Sequence, residues 1–218
     1  MSRASLFCLS LFTGLLIVGC ASKTTQPSQY SGFLADYSQL QPAKSPSGAP
    51  VLRWVAPTFK PDAYPEVYVE KPVFYPAPKP SDTVSQATLD QISDYLQKAI
   101  ERELSQRMRI VDTPTRDSLV LRSAITAVDS SAEDLHVYEV IPIALVLAAA
   151  NTAAGTRDRD TNIYLELEGV DARNNEPMIR VVRKGHGLKL ENDSTQLTLK
   201  DIQPALDSWA KDARAFKP

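Results

Sequence analysis

Prolines are concentrated in one part of the sequence, and they limit what that part can fold into. Residues 42–80 hold ten of the sixteen prolines of the chain. Each proline fixes φ and removes a backbone donor, so a long helix or a central strand is excluded through most of this region. Between the prolines, residues 53–55 and 64–74 carry β-branched and aromatic side chains that favour strands. We therefore expect residues 32–80 to form an extended arm with edge strands.

Two stretches have the periodicity of amphipathic helices. The first is residues 81–108, where apolar side chains recur three or four positions apart and form one stripe: Leu89, Ile92, Leu96, Ala99, Ile100, Leu104 and Met108. Thr83 and Gln86 have the spacing of a capping box near its start. The second is residues 198–216, with a similar stripe and with Thr198 as the expected N-cap. Each helix is predicted to pack its apolar face on a sheet.

Four further stretches have the composition or the alternation of strands, at residues 109–112, 118–128, 161–171 and 178–185. The last two flank a short polar segment, which is typical of a β-hairpin. We expect residues 81–218 to form one domain, together with the end of the arm. The order of the elements predicts an α+β fold: a single antiparallel or mixed sheet with the two amphipathic helices on one face, after a Pro-rich extended N-terminal arm.

The N-terminal stretch has the pattern of a secretory signal. Arg3 precedes an apolar run at residues 6–18, and the small residue Gly19 follows it. A helix that crosses a bilayer needs roughly 20 apolar residues, and this shorter run ends in polar sequence. Residues 1–19 are therefore expected to be a cleaved signal peptide, and residues 20–31 a flexible polar tether.

The end of this stretch, Ile17, Val18, Gly19 and Cys20, resembles the lipobox of bacterial lipoproteins. The resemblance implies cleavage between Gly19 and Cys20 and the attachment of acyl chains, such as palmitate, at Cys20. Several chains anchor firmly, since each buried CH2 contributes about 0.8 kcal/mol. Ala21 follows where an Asp tends to retain such proteins at the inner membrane, so the implied location is the periplasmic face of the outer membrane. The alternative is an ordinary cleaved signal with an incidental Cys20.

Charge and cysteine content exclude two further properties. The chain has a formal net charge of −2 and no run of Lys or Arg, whereas nucleic-acid phosphates require a basic surface. We therefore expect no nucleic-acid partner. Cys8 leaves with the signal and Cys20 carries the lipid, so no disulfide is expected in the mature chain.

The predicted hairpin carries the acidic residues that first suggest chemistry. Glu166 and Glu168 share one face of a strand, and paired carboxylates can act as general acid and base. Arg180 and Arg183 on the partner strand are at hand as cross-strand counterions. A solvated sheet face is the interpretation that we favour. The alternative is a hydrolase that uses Glu166, Glu168 or Asp171.

Other catalytic and cofactor motifs are missing from the sequence. His136 and His186 lie far apart without nearby cysteines or an HExxH motif, so no metal site is expected. Neither a nucleophile elbow nor a phosphate-binding or dinucleotide-binding loop is present. We predict no catalytic residues and no cofactor.

Residues 141–154 (IPIALVLAAANTAA) form the most apolar stretch after the signal. The stretch is shorter than the roughly 20 residues that a membrane span needs. It is expected to be a buried helix or helical loop that covers the sheet. The alternative is a segment that touches a membrane or a partner protein.

Several segments together resemble a family of uncharacterised proteobacterial lipoproteins that share a domain of unknown function. They are the lipobox and residues 31–40 (SGFLADYSQL), 68–73 (YVEKPV), 111–114 (VDTP), 166–171 (ELEGVD) and 209–210 (WA). The resemblance covers nearly the whole mature chain. It implies an envelope location and a fold, and it supplies no catalytic residues.

These observations favour a lipid-anchored, non-enzymatic binding or adaptor module of the cell envelope. Such a module would contact the membrane through its N-terminal lipid and would have an envelope protein as partner. The alternatives are the hydrolase above and an auxiliary lipoprotein subunit of a transporter. The oligomeric state stays open.

Overall fold

The computed structural model describes residues 24–78, 85–132, 159–189 and 197–218. Within these residues the chain forms two α-helices, two short 3-10 helices at Pro27–Gln29 and Pro61–Ala63, and eight strands. The α-helices are α1, Gln86–Leu104, and α2, Leu199–Ala215. The strands are β1 Gln41–Lys44, β2 Pro50–Val55, β3 Glu66–Val69, β4 Val73–Phe74, β5 Arg109–Ile110, β6 Ser118–Ala132, β7 Arg159–Asp171 and β8 Pro177–His186.

The strands form one mixed sheet in the order β1, β2, β8, β7, β6, β3, β5, and β4 also pairs with β6. Neighbours from β1 through to β6 are antiparallel, and β7 and β8 form the predicted hairpin. Strand β3 runs parallel to both β5 and β6, and β4 runs parallel to β6. Both helices pack on this sheet. The predicted α+β fold with a mixed sheet is therefore confirmed.

Helix α1 buries most of the predicted stripe, from Leu89 to Leu104, against the sheet and α2. It begins later than predicted, because its N-cap is Ser85. The Ser85 Oγ accepts a hydrogen bond of 3.1 Å from the backbone N–H of Thr88, which satisfies one of the unpaired donors of the first turn. Thr83, the residue predicted to begin a capping box, lies outside the described residues.

Helix α2 begins at the predicted N-cap. The backbone N–H of Thr198 donates to the Asp201 carboxylate over 2.8 Å, and the two residues form a capping box. The buried face of the helix carries Ile202, Leu206 and Trp209, which are 3% exposed or less. Burying a side chain of this size contributes about 1.5–3 kcal/mol, so the two stripes hold the helices on the sheet.

Gly185 in β8 lets α2 approach the sheet closely. A Cβ atom at this position would lie 2.8 Å from the Trp209 ring and 2.9 Å from the Ala205 side chain. Both distances are shorter than a van der Waals contact, so the helix could not keep its place over a larger residue.

The proline-rich arm enters the sheet more deeply than we predicted. Strand β1 is an edge strand, but β2 pairs with both β1 and β8, and β3 pairs with both β5 and β6. The prediction of edge strands was therefore wrong for β2 and β3. The physical reason is the placement of the prolines: Pro50 is the first residue of β2, and Pro65 directly precedes β3, so the interior of each strand keeps its donors.

Some predictions fall outside the described residues. They concern the signal peptide with Gly19 and Cys20, the apolar residues 141–154, and His136. Within the described part of the chain, neither helix has the length and the apolar character that spanning a membrane requires.

Candidate ligand-binding cavity

A cavity of about 520 Å³ lies between the sheet and the C-terminal halves of the two helices. Its floor is formed by helix-facing side chains of five strands: Val51, Arg53, Val67, Leu119, Leu121, Leu165, Leu167, Ile179, Val181 and Arg183. Its other walls come from the helices and the segments at the rim, and they include Phe59, Tyr64, Ile100, Leu104, Met108, Trp209 and Phe216. A mostly apolar cavity of this size is in the usual range for small-molecule sites, about 300–1,000 Å³.

The cavity reaches the centre of the sheet. Leu167 and Val181 lie opposite each other in the β7 and β8 pairing, and each strand has a further neighbour on its other side. Both side chains are nevertheless only partly buried, although the helices pack on this face. They are therefore exposed to the cavity rather than to an edge of the sheet. Two aliphatic side chains at this position form an apolar floor.

Arg183 is the buried cation of the cavity wall. Its side chain is 7% exposed, and its Nη2 donates to the Asp212 carboxylate of α2 over 2.9 Å. Its guanidinium also lies 5.6 Å from the centre of the Trp209 ring. Burial lowers the pKa of Arg183, and the hydrogen bond and charge of Asp212 oppose that shift. The Nε of Arg183 is buried and makes no hydrogen bond within the described residues.

Asp212 joins three elements. Besides Arg183 of β8, it accepts hydrogen bonds from the backbone N–H and the hydroxyl of Ser47, over 2.7 and 2.9 Å. Ser47 lies in the turn between β1 and β2. Both oxygens of the carboxylate therefore accept hydrogen bonds, and its charge neutralises that of Arg183.

Arg53 also lies on the cavity floor and is half-buried, but within the described ranges no acidic partner accompanies it. Its guanidinium lies 5.3 Å from the centre of the Phe216 ring. With the described residues it makes no ion pair and no hydrogen bond. Arg53 pairs with Val181 in the sheet and Arg183 pairs with Val51, so the two arginines are diagonal neighbours on one face. Among the described residues, Asp212 pairs with Arg183, whereas Arg53 contacts the Phe216 ring.

The predicted carboxylates lie on the opposite, outer face of the sheet. Glu166 is 1% exposed, and three donors bind it: the N–H of Ser31 at 2.8 Å, the hydroxyl of Ser31 at 2.9 Å and the hydroxyl of Tyr37 at 2.6 Å. The prediction of a solvated face was therefore wrong for Glu166. The reason is that the N-terminal segment folds back over the sheet and covers this carboxylate.

We call residues 31–37 the N-terminal clamp. Within it, the Tyr37 hydroxyl also accepts hydrogen bonds from the backbone N–H groups of Gly32 and Leu34, over 2.9 and 3.1 Å. Gly32 has a φ of 87°, a conformation that glycine adopts without strain. Burial and the hydrogen bond to Glu166 raise the pKa of Tyr37 to about 12. The motif in residues 31–40 thus forms a compact loop around one buried carboxylate.

The two predicted counterions have different roles. Arg180 pairs with Glu168 across β7 and β8, with an Nε to carboxylate distance of 2.9 Å, as predicted. Its Nη1 also lies 3.3 Å from the carboxylate of Asp36 in the clamp. The prediction for Arg183 was wrong, because residues three apart in a strand face opposite sides of a sheet.

The remaining candidates are part of local hydrogen-bond networks. Asp171 accepts hydrogen bonds from the hydroxyl of Tyr64 over 3.0 Å and from the backbone N–H of Arg173 over 2.7 Å. Burial opposes ionisation of Asp171, but these bonds outweigh it and lower its pKa. The Nδ1 of His186 lies 2.9 Å from the side-chain oxygen of Asn162. Among the described residues, no group of three or more metal-ligating side chains comes together.

Comparison with known proteins places the chain in a family. The sequence profile of a "Protein of unknown function (DUF3313)" matches residues 29–213. The chain belongs to the DUF3313 family. It is also similar to the "Uncharacterized lipoprotein YdcL" of Escherichia coli strain K12 and of Escherichia coli O157:H7. Each is 44% identical over 217 residues, which cover 99% of this chain and 98% of the relative. The predicted resemblance to a lipoprotein family of unknown function is confirmed at this level.

Two solved structures resemble this DUF3313 protein at low similarity. One is the PelC dodecamer from Paraburkholderia phytofirmans, with a TM-score of 0.36 and 11% identity over 74% of this chain and 96% of that one. Another is a putative neuraminyllactose-binding hemagglutinin homolog from Helicobacter pylori, with a TM-score of 0.42 and 10% identity over 73% of this chain and 83% of that one. At these scores the likeness carries no functional argument.

Proposed function

We propose that this DUF3313 protein is a lipid-anchored, non-enzymatic binding module on the periplasmic face of the outer membrane, and that its ligand occupies the cavity between sheet and helices. The observation that carries the proposal is the exposure of Leu167 and Val181 to the cavity at the centre of the sheet. Close packing is the rule in protein interiors, and an apolar space of about 520 Å³ departs from it strongly. Binding an apolar ligand would return these side chains to a dry, packed environment.

The binding function is tested with an uncharged apolar dye, phenylnaphthylamine, whose fluorescence rises in an apolar environment. We expect the full-length protein, held in lipid nanodiscs, to enhance the dye signal beyond that of empty nanodiscs. The double variant Leu167→Phe with Val181→Phe fills the floor of the cavity and should abolish this enhancement. Circular dichroism checks that the variant is folded. Equal enhancement by both proteins would contradict the proposal.

The lipid anchor is supported by the lipobox and by the similarity to an uncharacterised lipoprotein over nearly the whole length of both chains. Metabolic labelling with palmitate tests it. We expect label on the native chain, recovery with outer-membrane vesicles in a density gradient, and loss of both in Cys20→Ser. An unlabelled native chain would contradict the anchor but not the cavity.

The absence of an enzymatic role is supported by the environment of Glu166. Its carboxylate is covered by the N-terminal clamp and accepts three hydrogen bonds, so a substrate has no access to it in this conformation.

An envelope protein partner is also part of the proposal. The native protein and the Cys20→Ser variant are crosslinked in intact cells and then purified. We expect a defined partner protein to be recovered with the native protein and not with the variant.

A further inference from the structure

We infer that the cavity takes a long-chain carboxylate, with its acyl chain against the aliphatic floor and its carboxylate beside Arg53. The inference rests on the proposed function, because it names the class of ligand for the same cavity. A half-buried guanidinium on an apolar floor is costly unless an opposite charge or hydrogen-bond acceptors accompany it. Arg53 has neither among the described residues, and its guanidinium contacts the Phe216 ring.

The other cations of the cavity already have hydrogen-bond acceptors. Arg183 is neutralised by Asp212, whose carboxylate also accepts two hydrogen bonds from Ser47. Arg107 at the rim donates to the backbone carbonyls of Arg214 and Phe216 at the end of α2. Those carbonyls therefore have a cation of their own, and Arg53 is not needed there.

Asp62 is the other acidic residue of the lining, and it is exposed at the rim. It makes no ion pair with Arg53. Among the described residues of the lining, Arg53 is therefore the half-buried charge that has no ion pair and no hydrogen bond.

The distribution of polar groups favours an amphiphile over a polar metabolite. A polar ligand needs partners along its whole length, whereas the floor away from Arg53 and the paired Arg183 is aliphatic, with Leu119, Leu165, Leu167 and Val181. One cation at one place and an apolar surface elsewhere match a single anionic head on a long apolar chain. An arginine can also bind both oxygens of a carboxylate at once.

The test compares palmitate with its methyl ester, which has the same chain and no charge. Both displace phenylnaphthylamine from the full-length protein in nanodiscs, and empty nanodiscs correct for partition into lipid. We expect palmitate to bind at least about ten-fold more tightly than the ester, which corresponds to one hydrogen-bonded charge. Arg53→Gln should remove this preference, and Arg53→Lys should keep part of it.

The matched control is Arg122→Gln, which removes an arginine of the outer face that pairs with Glu70. It should leave the preference for palmitate unchanged. Equal binding of palmitate and ester by the native protein would overturn the inference and leave the proposed function standing. A preference that persists in Arg53→Gln would overturn it as well. If neither compound displaces the dye and the dye itself does not bind, the proposed function fails. Circular dichroism of each variant separates loss of binding from loss of fold.

Discussion

The hydroxyl of Tyr37 lies 2.6 Å from the carboxylate of Glu166, although the two residues are 129 positions apart in the sequence. This contact attaches the N-terminal clamp to the centre of the sheet, on the face opposite the helices. Ser31, the first residue of the clamp, also donates to Glu166, so the clamp lies on that face from its start. The clamp therefore covers the outer face, and the cavity lies on the other side of the sheet.

Tyr37→Phe should destabilise the fold by about 2 kcal/mol, because a buried carboxylate loses a donor and two backbone N–H groups lose their acceptor. Urea unfolding of the full-length protein measures this. The matched control is Tyr68→Phe in β3, whose hydroxyl has no hydrogen bond in the described structure and should cost less than about 0.5 kcal/mol. Equal losses in the free energy of unfolding for the two variants would show that the clamp does not depend on the Tyr37 hydroxyl.

The clamp should also weaken at high pH. The pKa of Tyr37 is raised from 10.0 to about 12, so its contribution to stability is present below pH 10 and is lost as the pH rises through 12. Tyr64, which donates to Asp171, shows the same shift to about 12. In a spectroscopic titration of the eight tyrosines, part of the absorbance change should appear only at high pH, and this part should be smaller in Tyr37→Phe. A titration with all tyrosines near 10 would contradict this prediction.

Gly185→Ala should destabilise the protein by about 1–3 kcal/mol, because the new methyl group would meet the Trp209 ring. Thermal unfolding measures the change. In a Trp209→Leu background the ring is absent, so the same substitution should cost clearly less. The difference between the two backgrounds isolates the contact. If Gly185→Ala causes the same loss of stability in both backgrounds, the alanine does not act through its contact with the Trp209 ring.

Asp212→Ala should cost about 3–5 kcal/mol, because it leaves the buried Arg183 without its counterion. The double variant Arg183→Met with Asp212→Leu removes both charges and should recover most of the loss. Asp207→Ala, at a more exposed position of the same helix, should cost about 1 kcal/mol. Chemical denaturation measures all three. If Asp212→Ala lowers the free energy of unfolding no more than Asp207→Ala does, the result contradicts a stabilising role of the buried ion pair.

Local patterns were sufficient to predict the helices, the hairpin and the fold class. The apolar stripes of α1 and α2 and the alternation in β7 and β8 are read from neighbours in the sequence. The pairing of Glu168 with Arg180 follows from the register of a hairpin. The alternation along β8 is also sufficient to predict the position of Arg183. A residue three positions from Arg180 lies on the opposite face of the sheet, which is the face that the helices cover.

Other features depend on contacts between distant residues and could not be read in this way. Strand β2 pairs with β8, more than a hundred positions further on, so its place inside the sheet is not visible in its own sequence. Glu166 has the pattern of a surface residue, because nothing near it shows that Tyr37 covers it. The cavity also has no local signature: Leu167 and Val181 resemble core residues, and only the position of the helices leaves them exposed.

The measurement that tests the central claim most directly is quenching of Trp209 by an acyl chain brominated near its end. Trp209 lines the cavity, and Trp54→Phe removes the other tryptophan. We predict that the brominated chain quenches Trp209 emission in the full-length protein in nanodiscs, and that Leu167→Phe with Val181→Phe prevents this quenching. Quenching that is absent, or that is equal in the filled variant, would show that the ligand does not enter the cavity.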